Sequence, residues 1–141
     1  MSRVYWDARL FIYWLEDHPV HASRLELVRQ RMEARGDLLC TSVFTLSEIL
    51  VAPYRSGGAE LAANIRQRLR PPGLELLPFT EEVADRCAQL CGQQGLVAAD
   101  AVHLATAAVA GVDLFLTHSP ALVGLPVPGI RFIAPLEANL F

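Results

Sequence analysis

Three acidic residues, Asp7, Glu48 and Asp100, lie beside apolar segments in the stretches VYWDARLFIYWLE, TSVFTLSEIL and VAADAVHLATA. Carboxylate oxygens are the ligands that Mg²⁺ and Mn²⁺ prefer in proteins. If the fold directs all three acids to one place, they repel one another by about 3 kcal/mol per pair, at roughly 5 Å and an effective dielectric constant of about 20. A divalent cation reverses that penalty, so the three acids predict a metal site.

Each acid also has a structural explanation. Asp7 and Asp100 are placed to cap helix N-termini, where a carboxylate accepts unpaired amide protons. Thr45 and Glu48 match the S/T-x-x-E spacing of a capping box. Capping is the commoner role for any one acid alone, whereas three acids in apolar surroundings together favour the cation site.

The elements that must position these acids follow from the hydrophobic pattern, in which short apolar runs alternate with longer segments of helical period. Pro71-Pro72, Gly95 and Gly111 mark helix ends. The pattern predicts strands at residues 3–6, 37–42, 74–79, 113–117 and 130–134. It predicts helices at residues 8–16, 20–35, about 43–55, 60–70, 80–94 and 99–110.

Strands that alternate with helices predict an α/β fold with a mostly parallel central sheet covered on both faces. Ligands of such folds bind beyond the carboxyl ends of the strands. Asp7 directly follows the first strand, and the same edge receives the beginning of the helix that carries Glu48. Asp100 opens a later helix and is able to reach this edge. We therefore expect the three carboxylates to meet there.

The composition fits a single domain, residues 1–141, of 15.5 kDa, because 52% of the residues are hydrophobic and are able to bury a full core. No apolar run reaches the roughly 18 to 20 residues of a membrane span, and the N-terminus lacks the pattern of a signal peptide. We therefore expect a soluble cytoplasmic protein. Cys40, Cys87 and Cys91 form no C-x-x-C pair, so they indicate neither a disulfide framework nor a zinc site.

The charge of the chain restricts how it binds nucleic acid. A net charge of -3 argues against coating nucleic acid by bulk electrostatics, although a local basic patch is compatible with binding. Every basic residue is an arginine, which fits bidentate phosphate contacts or, more simply, genome composition. Arg66, Arg68 and Arg70 lie close together and could steer RNA, but such runs are usually solvated helix faces.

The order and spacing of four motifs resemble the PIN domain family, specifically the VapC-like toxins of bacterial toxin–antitoxin pairs. The motifs are Asp7 after the first strand, SEIL on a following helix, ADAVHLATA late in the chain and LFLTHS after it. The resemblance implies a three-layer α/β/α fold, Mg²⁺- or Mn²⁺-dependent cleavage of RNA, an antitoxin that blocks the acidic pocket, and a homodimer. It also implies that Asp7, Glu48 and Asp100 are the catalytic residues and the metal ligands.

A fourth acid that the family usually has is missing from this chain. Its position in LTHSPAL is Ser119, which follows Thr117 and His118. Asp113 begins the strand, so we expect it at the opposite end of the sheet. Lowering the charge of the site from about -4 to -3 weakens a second metal but leaves one hard cation feasible. Ser119, Thr117 and His118 are accessory candidates, although a plain strand-end role is commoner for Thr117.

The chemistry that this site implies is metal-assisted hydrolysis of a phosphodiester. The cation binds a phosphate oxygen and lowers the pKa of a coordinated water, and Asp100 is the first candidate to orient or deprotonate that water. His103, one turn beyond Asp100, is a candidate phosphate contact, but a helix histidine with a satisfied hydrogen bond is commoner. Arg9 either pairs with an acid or with phosphate, or is simply exposed.

Two functions from different classes follow. The first is a metal-dependent RNA endonuclease toxin that works with three acids. The second is a PIN-fold binding module for RNA or protein whose nuclease activity is weak or lost, and its main support is Ser119 in place of an acid. Metal-dependent cleavage of RNA that Asp7→Asn abolishes separates the first function from the second.

Overall fold

The computed structural model describes residues 1–70 and 73–139, and within them five strands alternate with helices. The strands are β1 (Arg3–Trp6), β2 (Leu38–Ser42), β3 (Glu75–Leu77), β4 (Leu114–Thr117) and β5 (Phe132–Pro135). The helices are α1 (Ala8–Leu15), α2 (Ala22–Arg35), α3 (Val43–Ser56), α4 (Gly58–Arg68), α5 (Glu81–Gln94) and α6 (Ala98–Ala110).

The strands form one sheet in the order β3-β2-β1-β4-β5, and all neighbouring pairs are parallel. Successive side chains of a strand point to opposite faces, so Val4 and Trp6 of β1 pack with residues of α1, α2 and α3. Tyr5, between them, packs on the other face with α5 and α6. The predicted three-layer α/β/α fold with a parallel sheet is therefore confirmed.

Large side chains fill both faces of the central strands. Tyr5, Trp6 and Phe115 have no exposed surface, and the rings of Tyr5 and Phe115 stack with centroids 5.0 Å apart. Burial of each such side chain contributes about 1.5–3 kcal/mol. This packing holds β1 and β4 rigidly, and it therefore fixes where the residues that directly follow these strands begin.

Two elements, α2 and β3, are shorter than the sequence predicted by two residues or more. The helix α2 begins at Ala22 rather than at residue 20, because Nδ1 of His18 accepts the amide protons of Val20 and His21 and holds these residues in a turn. The strand β3 ends at Leu77. Pro78 follows it and has no amide proton with which to continue the ladder.

The strand β5 begins two residues later than predicted, because a turn occupies the preceding residues. Gly129 has a φ of +100°, and a Cβ atom at this position would lie 2.5 Å from the carbonyl oxygen of Ala108. The amide of Ile130 donates to the carbonyl of Val127 and closes the turn. Only glycine fits this close approach, so the turn and not the apolar pattern sets the start of β5.

Several expectations concern the chain as a whole. Pro71 and Pro72, which were expected to end a helix, lie outside the described residues, and α4 ends at Arg68. Within residues 1–70 and 73–139, no helix has the length and hydropathy needed to span a membrane. All three cysteines are unbridged. That residues 1–141 form a single domain stays a prediction.

Candidate active site

A cleft of about 570 Å³ opens at the carboxyl edge of the sheet. It is bordered by the first turns of α1, by α3, by α6 and by the residues after β4. Asp7, Glu48 and Asp100 all line it, and so do His118 and Ser119. The structure thus brings the three acids to the edge where the sequence placed them, while their role in catalysis or metal binding stays a prediction.

Asp7 reaches the cleft directly from the end of β1. One carboxylate oxygen accepts the amide proton of Leu10 at 3.3 Å, so Asp7 is the N-cap of α1. The other oxygen accepts the hydroxyl proton of Thr117 at 2.5 Å. Burial raises the pKa of Asp7, and the Thr117 hydrogen bond and the charge of Arg9 oppose that rise only in part. Capping and a place in the cleft are therefore compatible.

Thr117 connects two neighbours in the cleft. Its side chain is completely buried, and its hydroxyl donates to Asp7 while it accepts the amide proton of Ser119 at 3.0 Å. A hydroxyl oxygen is able to fill both roles at once. Thr117 therefore orients the Asp7 carboxylate and fixes the backbone of the residue that replaces the family's fourth acid.

Glu48 lies on the second turn of α3 and does not belong to a capping box. The helix begins at Val43, two residues before Thr45, and its N-cap is Ser42, whose hydroxyl accepts the amide proton of Phe44. The capping-box interpretation of Thr45 and Glu48 is wrong, because it placed the helix start too late. The Glu48 side chain, 30% exposed, instead contacts Nε2 of His103 at 2.5 Å.

His103 is held between Glu48 and a buried tyrosine. Its Nδ1 lies 2.7 Å from the hydroxyl of Tyr5, which itself accepts the amide proton of Ser42 at 3.1 Å. The proton assignment that satisfies these groups has Tyr5 donate to Nδ1 and leaves Nε2–H to donate to Glu48. His103 is thus a histidine with satisfied hydrogen bonds, as the sequence analysis favoured, and it also orients a cleft carboxylate.

Asp100 enters the cleft from the first turn of α6. The N-cap of this helix is Val97, and α6 has no side-chain cap. The capping role considered for Asp100 is therefore wrong, since the helix begins two residues earlier than the acid. A carboxylate in the first turn is still favoured by the positive end of the helix dipole, and that interaction leaves its oxygens directed at no particular amide.

The three carboxylates line the same cleft, but their oxygens do not surround one common point. Among the described residues, the ligand atoms of Asp7, Glu48 and Asp100 do not all fall within 4.8 Å of one another. Oxygens bound directly to one Mg²⁺ at about 2.1 Å lie at most about 4.2 Å apart. Mg²⁺ commonly keeps several of its waters. A shared cation therefore needs a side-chain rotation or a bridging water.

The rim of the cleft carries residues of other types. Arg9 is exposed, lines the cleft and lowers the pKa of Asp7 through its charge, so it is both a solvent-exposed residue and a neighbour of an acid. His118 and Ser119 line the wall that follows β4. Asp113 lies at the opposite end of the sheet, where its carboxylate accepts the amide proton of Arg3 at 2.8 Å, as the sequence predicted.

Sequence reasoning missed Tyr5 as a contributor to the site. Its ring is in the core, and only its hydroxyl reaches His103. The available signal was positional, because a polar aromatic residue two places before Asp7 points to the opposite face of the sheet from Trp6, toward the helix that carries His103. A buried tyrosine hydroxyl needs a partner.

The donor set of the cleft fits a hard divalent cation. All three acids of the cleft offer oxygen, which suits Mg²⁺ and Mn²⁺ better than softer ions. Burial raises the pKa of Asp7 because the surrounding groups only partly compensate its buried negative charge. A divalent ion supplies that compensation, so the residues present are compatible with a metal at this position.

Fold and cleft together define an α/β protein with an acidic site at the carboxyl edge of an all-parallel, five-stranded sheet. The family model of the PIN domain matches residues 4–119. The chain therefore belongs to the PIN domain family. A comparison with curated proteins found no significant match.

Solved structures with the same fold cover nearly the whole chain. DNA-bound VapBC from Salmonella typhimurium is similar with a TM-score of 0.70 and 20% identity, over 96% of this chain and 99% of that one. VapBC2 from Rickettsia felis, bound to a DNA fragment from the promoter, is similar with a TM-score of 0.68 and 15% identity, over 94% of this chain and 98% of that one. A toxin–antitoxin complex from Klebsiella pneumoniae is similar with a TM-score of 0.64 and 19% identity, over 90% of this chain and 94% of that one.

Proposed function

We propose that this protein is a metal-dependent endoribonuclease of the cytoplasm and the toxin of a toxin–antitoxin pair. The observation that carries the proposal is the convergence of Asp7, Glu48 and Asp100 on one cleft at the carboxyl edge of a PIN domain. Carboxylate oxygens are ligands that Mg²⁺ prefers, and the carboxyl ends of the strands are where open α/β sheets bind their ligands. The substrate is RNA, and the reaction is hydrolysis of a phosphodiester bond.

The proposed roles of the residues follow from their contacts. Asp7, Glu48 and Asp100 hold one Mg²⁺ or Mn²⁺ ion. When bound, the ion supplies charge stabilisation at the phosphate and a more acidic water. Thr117 and His103 are positioning residues, because each donates a hydrogen bond to one oxygen of a cleft carboxylate. The second oxygen of the Asp7 carboxylate accepts the amide proton of Leu10, which restricts rotation of this group.

Arg9 is the proposed contact for the RNA backbone. Its side chain is exposed at the rim of the cleft and follows Asp7 by two residues on the first turn of α1. A guanidinium at this position is able to form a bidentate pair with a phosphate that enters the cleft. It also offsets the repulsion between that phosphate and the three acids.

Ser119 lowers the charge of the site relative to a four-acid arrangement. Its amide donates to Thr117, so the residue is anchored at the wall of the cleft although it offers no carboxylate. The proposal is therefore a single cation with three charged ligands. The alternative is a PIN-fold binding module for RNA or protein with little or no nuclease activity, and Ser119 is the observation that favours it.

The proposed partners are a cognate antitoxin and a second copy of the chain. The similar structures from Rickettsia felis, Klebsiella pneumoniae and Salmonella typhimurium are toxin–antitoxin assemblies, and the similarity in fold extends over nearly the whole of each chain. An antitoxin that covers the cleft would block access of RNA to all three acids at once.

A metal-dependent cleavage assay tests the nuclease proposal. Purified protein is incubated with structured RNA and Mn²⁺, and Asp7→Asn is compared with Asp113→Asn, an aspartate at the opposite edge of the sheet. We expect Asp7→Asn to lower the cleavage rate by more than about 100-fold, because losing a charged ligand exceeds the effect of losing an outer contact. Asp113→Asn should cleave as the unchanged protein does.

Metal-independent RNA binding without cleavage by the unchanged protein would favour the binding module. The variant Ser119→Asp then tests whether residue 119 belongs to the cation site. If residue 119 belongs to the cation site, this substitution raises Mn²⁺ affinity and cleavage, because it restores a fourth carboxylate. Equal cleavage by Ser119→Asp and Ser119→Asn would contradict that placement.

A further inference from the structure

A second group of metal-ligating side chains lies next to the acidic cleft. His21, His118 and Glu137, here called the histidine cluster, each offer one ligand atom, and these three atoms lie within 4.8 Å of one another. Nδ1 of His118 is 3.3 Å from Oε1 of Glu137. Two ligands of a tetrahedral Zn²⁺ ion with bonds of about 2.0–2.1 Å are also about 3.3 Å apart. The cluster therefore needs little movement to enclose an ion.

The ligands come from three segments, and local contacts fix two of these. His21 ends the turn before α2, where Nδ1 of His18 accepts the amide protons of Val20 and of His21 itself. Because these bonds use Nδ1 of His18, this nitrogen is a support for the turn and not a further ligand. A ligand held by such a second layer of contacts binds metal more tightly than a mobile one.

Glu137 follows β5 and is held from the opposite direction. The guanidinium of Arg24, on α2, donates to the carbonyl of Leu136 at 3.3 Å and to the carbonyl of Ala138 at 2.7 Å. These two carbonyls flank Glu137 on both sides. The arginine thereby fixes the backbone of Glu137 relative to α2, the helix that begins directly after His21.

The rings of the cluster already pack together. The centroids of His21 and His118 are 4.5 Å apart, and Tyr13 contacts His118 edge-on with centroids 5.4 Å apart. The two imidazoles of the proposed site are therefore already adjacent.

The chemistry of this ligand set differs from that of the cleft. Two imidazoles and one carboxylate suit Zn²⁺, Co²⁺ and Ni²⁺, whereas three carboxylates suit Mg²⁺ and Mn²⁺. Three protein ligands with a fourth position left to water also describe an accessible Zn²⁺ site. Glu137 is 59% exposed in its side chain, so an ion is able to enter from solvent.

We propose that the histidine cluster is a separate metal site that binds one transition-metal ion of the Zn²⁺ class through His21, His118 and Glu137. The bound ion joins the turn before α2 to the residues after β4 and β5. His118 also lines the acidic cleft, so the ion fixes one wall of that cleft and brings positive charge to its rim. This site does not depend on the proposed nuclease function.

Titration of the full-length, tag-free protein with ZnCl₂ in a calorimeter tests the proposal. In the presence of excess Mg²⁺, which competes for the acidic cleft, we expect one saturable Zn²⁺ site in the unchanged protein and a loss of Zn²⁺ affinity of more than about 100-fold in His21→Ala. Glu137→Gln should weaken the site as well, and its circular dichroism spectrum should match that of the unchanged protein because the side chain is exposed. Asp7→Asn, a change in the acidic cleft, should leave Zn²⁺ binding intact.

The two cysteines of α5 require their own control, because thiolates also bind Zn²⁺. Cys87→Ser combined with Cys91→Ser should bind Zn²⁺ as the unchanged protein does, and bound Co²⁺ should show no thiolate charge-transfer band. Absence of saturable binding in the unchanged protein overturns the proposal and leaves the cluster an ion pair beside stacked rings. Binding that survives His21→Ala and Glu137→Gln, or that is lost in Asp7→Asn or the cysteine variant, overturns it too.

Discussion

The two edges of the sheet use the same acidic residue types in opposite ways. At the amino edge, Asp37 accepts the amide proton of Ser2 at 2.9 Å and pairs with Arg35 at 2.9 Å. Arg3 pairs with Glu75 at 2.6 Å. At the carboxyl edge, Asp7, Glu48 and Asp100 share one cleft. Asp7 accepts protons from the Thr117 hydroxyl and the Leu10 amide, and Glu48 contacts the imidazole of His103.

This difference teaches how to separate a structural acid from a candidate functional one. The amino-edge acids have backbone amides and guanidinium groups that neutralise them, so their charge stabilises the fold. At the carboxyl edge, the partners of Asp7 are a hydroxyl and a backbone amide and that of Glu48 is an imidazole, which orient a carboxylate without the permanent charge of a guanidinium. An acid that is oriented but not neutralised is available to a cation.

The largest expected effect concerns the orientation of Asp7. Thr117→Val removes the hydroxyl that donates to Asp7 at 2.5 Å and keeps the shape of the side chain. We expect Mn²⁺ affinity, measured by calorimetry, to fall about 10- to 100-fold, as for other outer-layer contacts of metal ligands. Thr117→Ser keeps the hydroxyl and should retain most of the affinity, whereas equal losses in both variants would assign Thr117 a packing role only.

An intermediate effect is expected at the amino edge. Asp37→Ala leaves the amide of Ser2 and the guanidinium of Arg35 without their shared acceptor, and the Asp37 side chain is only 1% exposed. We expect the free energy of unfolding in urea to fall by about 2 kcal/mol, with RNA cleavage per folded molecule unchanged. A loss of cleavage without a loss of stability would remove the distinction between the two edges.

The smallest expected effect is a change of stability with pH. Burial raises the pKa of Asp7 in the folded chain above its unfolded value of 3.8, so the folded state binds this proton more tightly. The resulting stability is complete below the unfolded pKa and is lost as the pH rises through the folded pKa. Without metal, Asp7→Asn should therefore unfold at a higher urea concentration than the unchanged protein at about pH 7.

That difference should shrink as the pH approaches the unfolded pKa, because the protonated aspartic acid and asparagine are then alike in charge. Urea titrations over this range, with metal removed by a chelator, measure it. A control is Asp113→Asn at the other edge, which should not reproduce the trend. Lower stability of Asp7→Asn at neutral pH would mean that the hydrogen bond from Thr117 outweighs the cost of burying the charge.

The sequence predicted the order of elements well, because hydrophobic period and chain breaks are local signals. The run VYW predicts a strand and lies in β1. Gly95 and Gly111 end their helices, as predicted, and both adopt left-handed conformations. Boundaries were missed where contacts distant in sequence decide them. The start of β5 depends on the approach of Gly129 to Ala108 on α6, and no local pattern records that contact.

The site was predicted in its location but not in its connections. Placing Asp7 and Glu48 at one edge requires only a parallel sheet. The pair of Glu48 with His103 joins residues 55 positions apart, and the pair of Thr117 with Asp7 spans 110. The histidine cluster was likewise invisible, because its members come from the turn before α2 and from the ends of β4 and β5. Such contacts depend on packing.

Asp7 serves as the N-cap of α1 and also lines the cleft. Asparagine caps helices about as well as aspartate, and the two residues differ by a single base in their codons. Under the proposed function, one point mutation therefore converts a growth-inhibiting chain into a harmless one that keeps its shape and its binding surfaces. Cells that carry the gene have an easy genetic escape, and the escaped product would still be able to occupy an antitoxin.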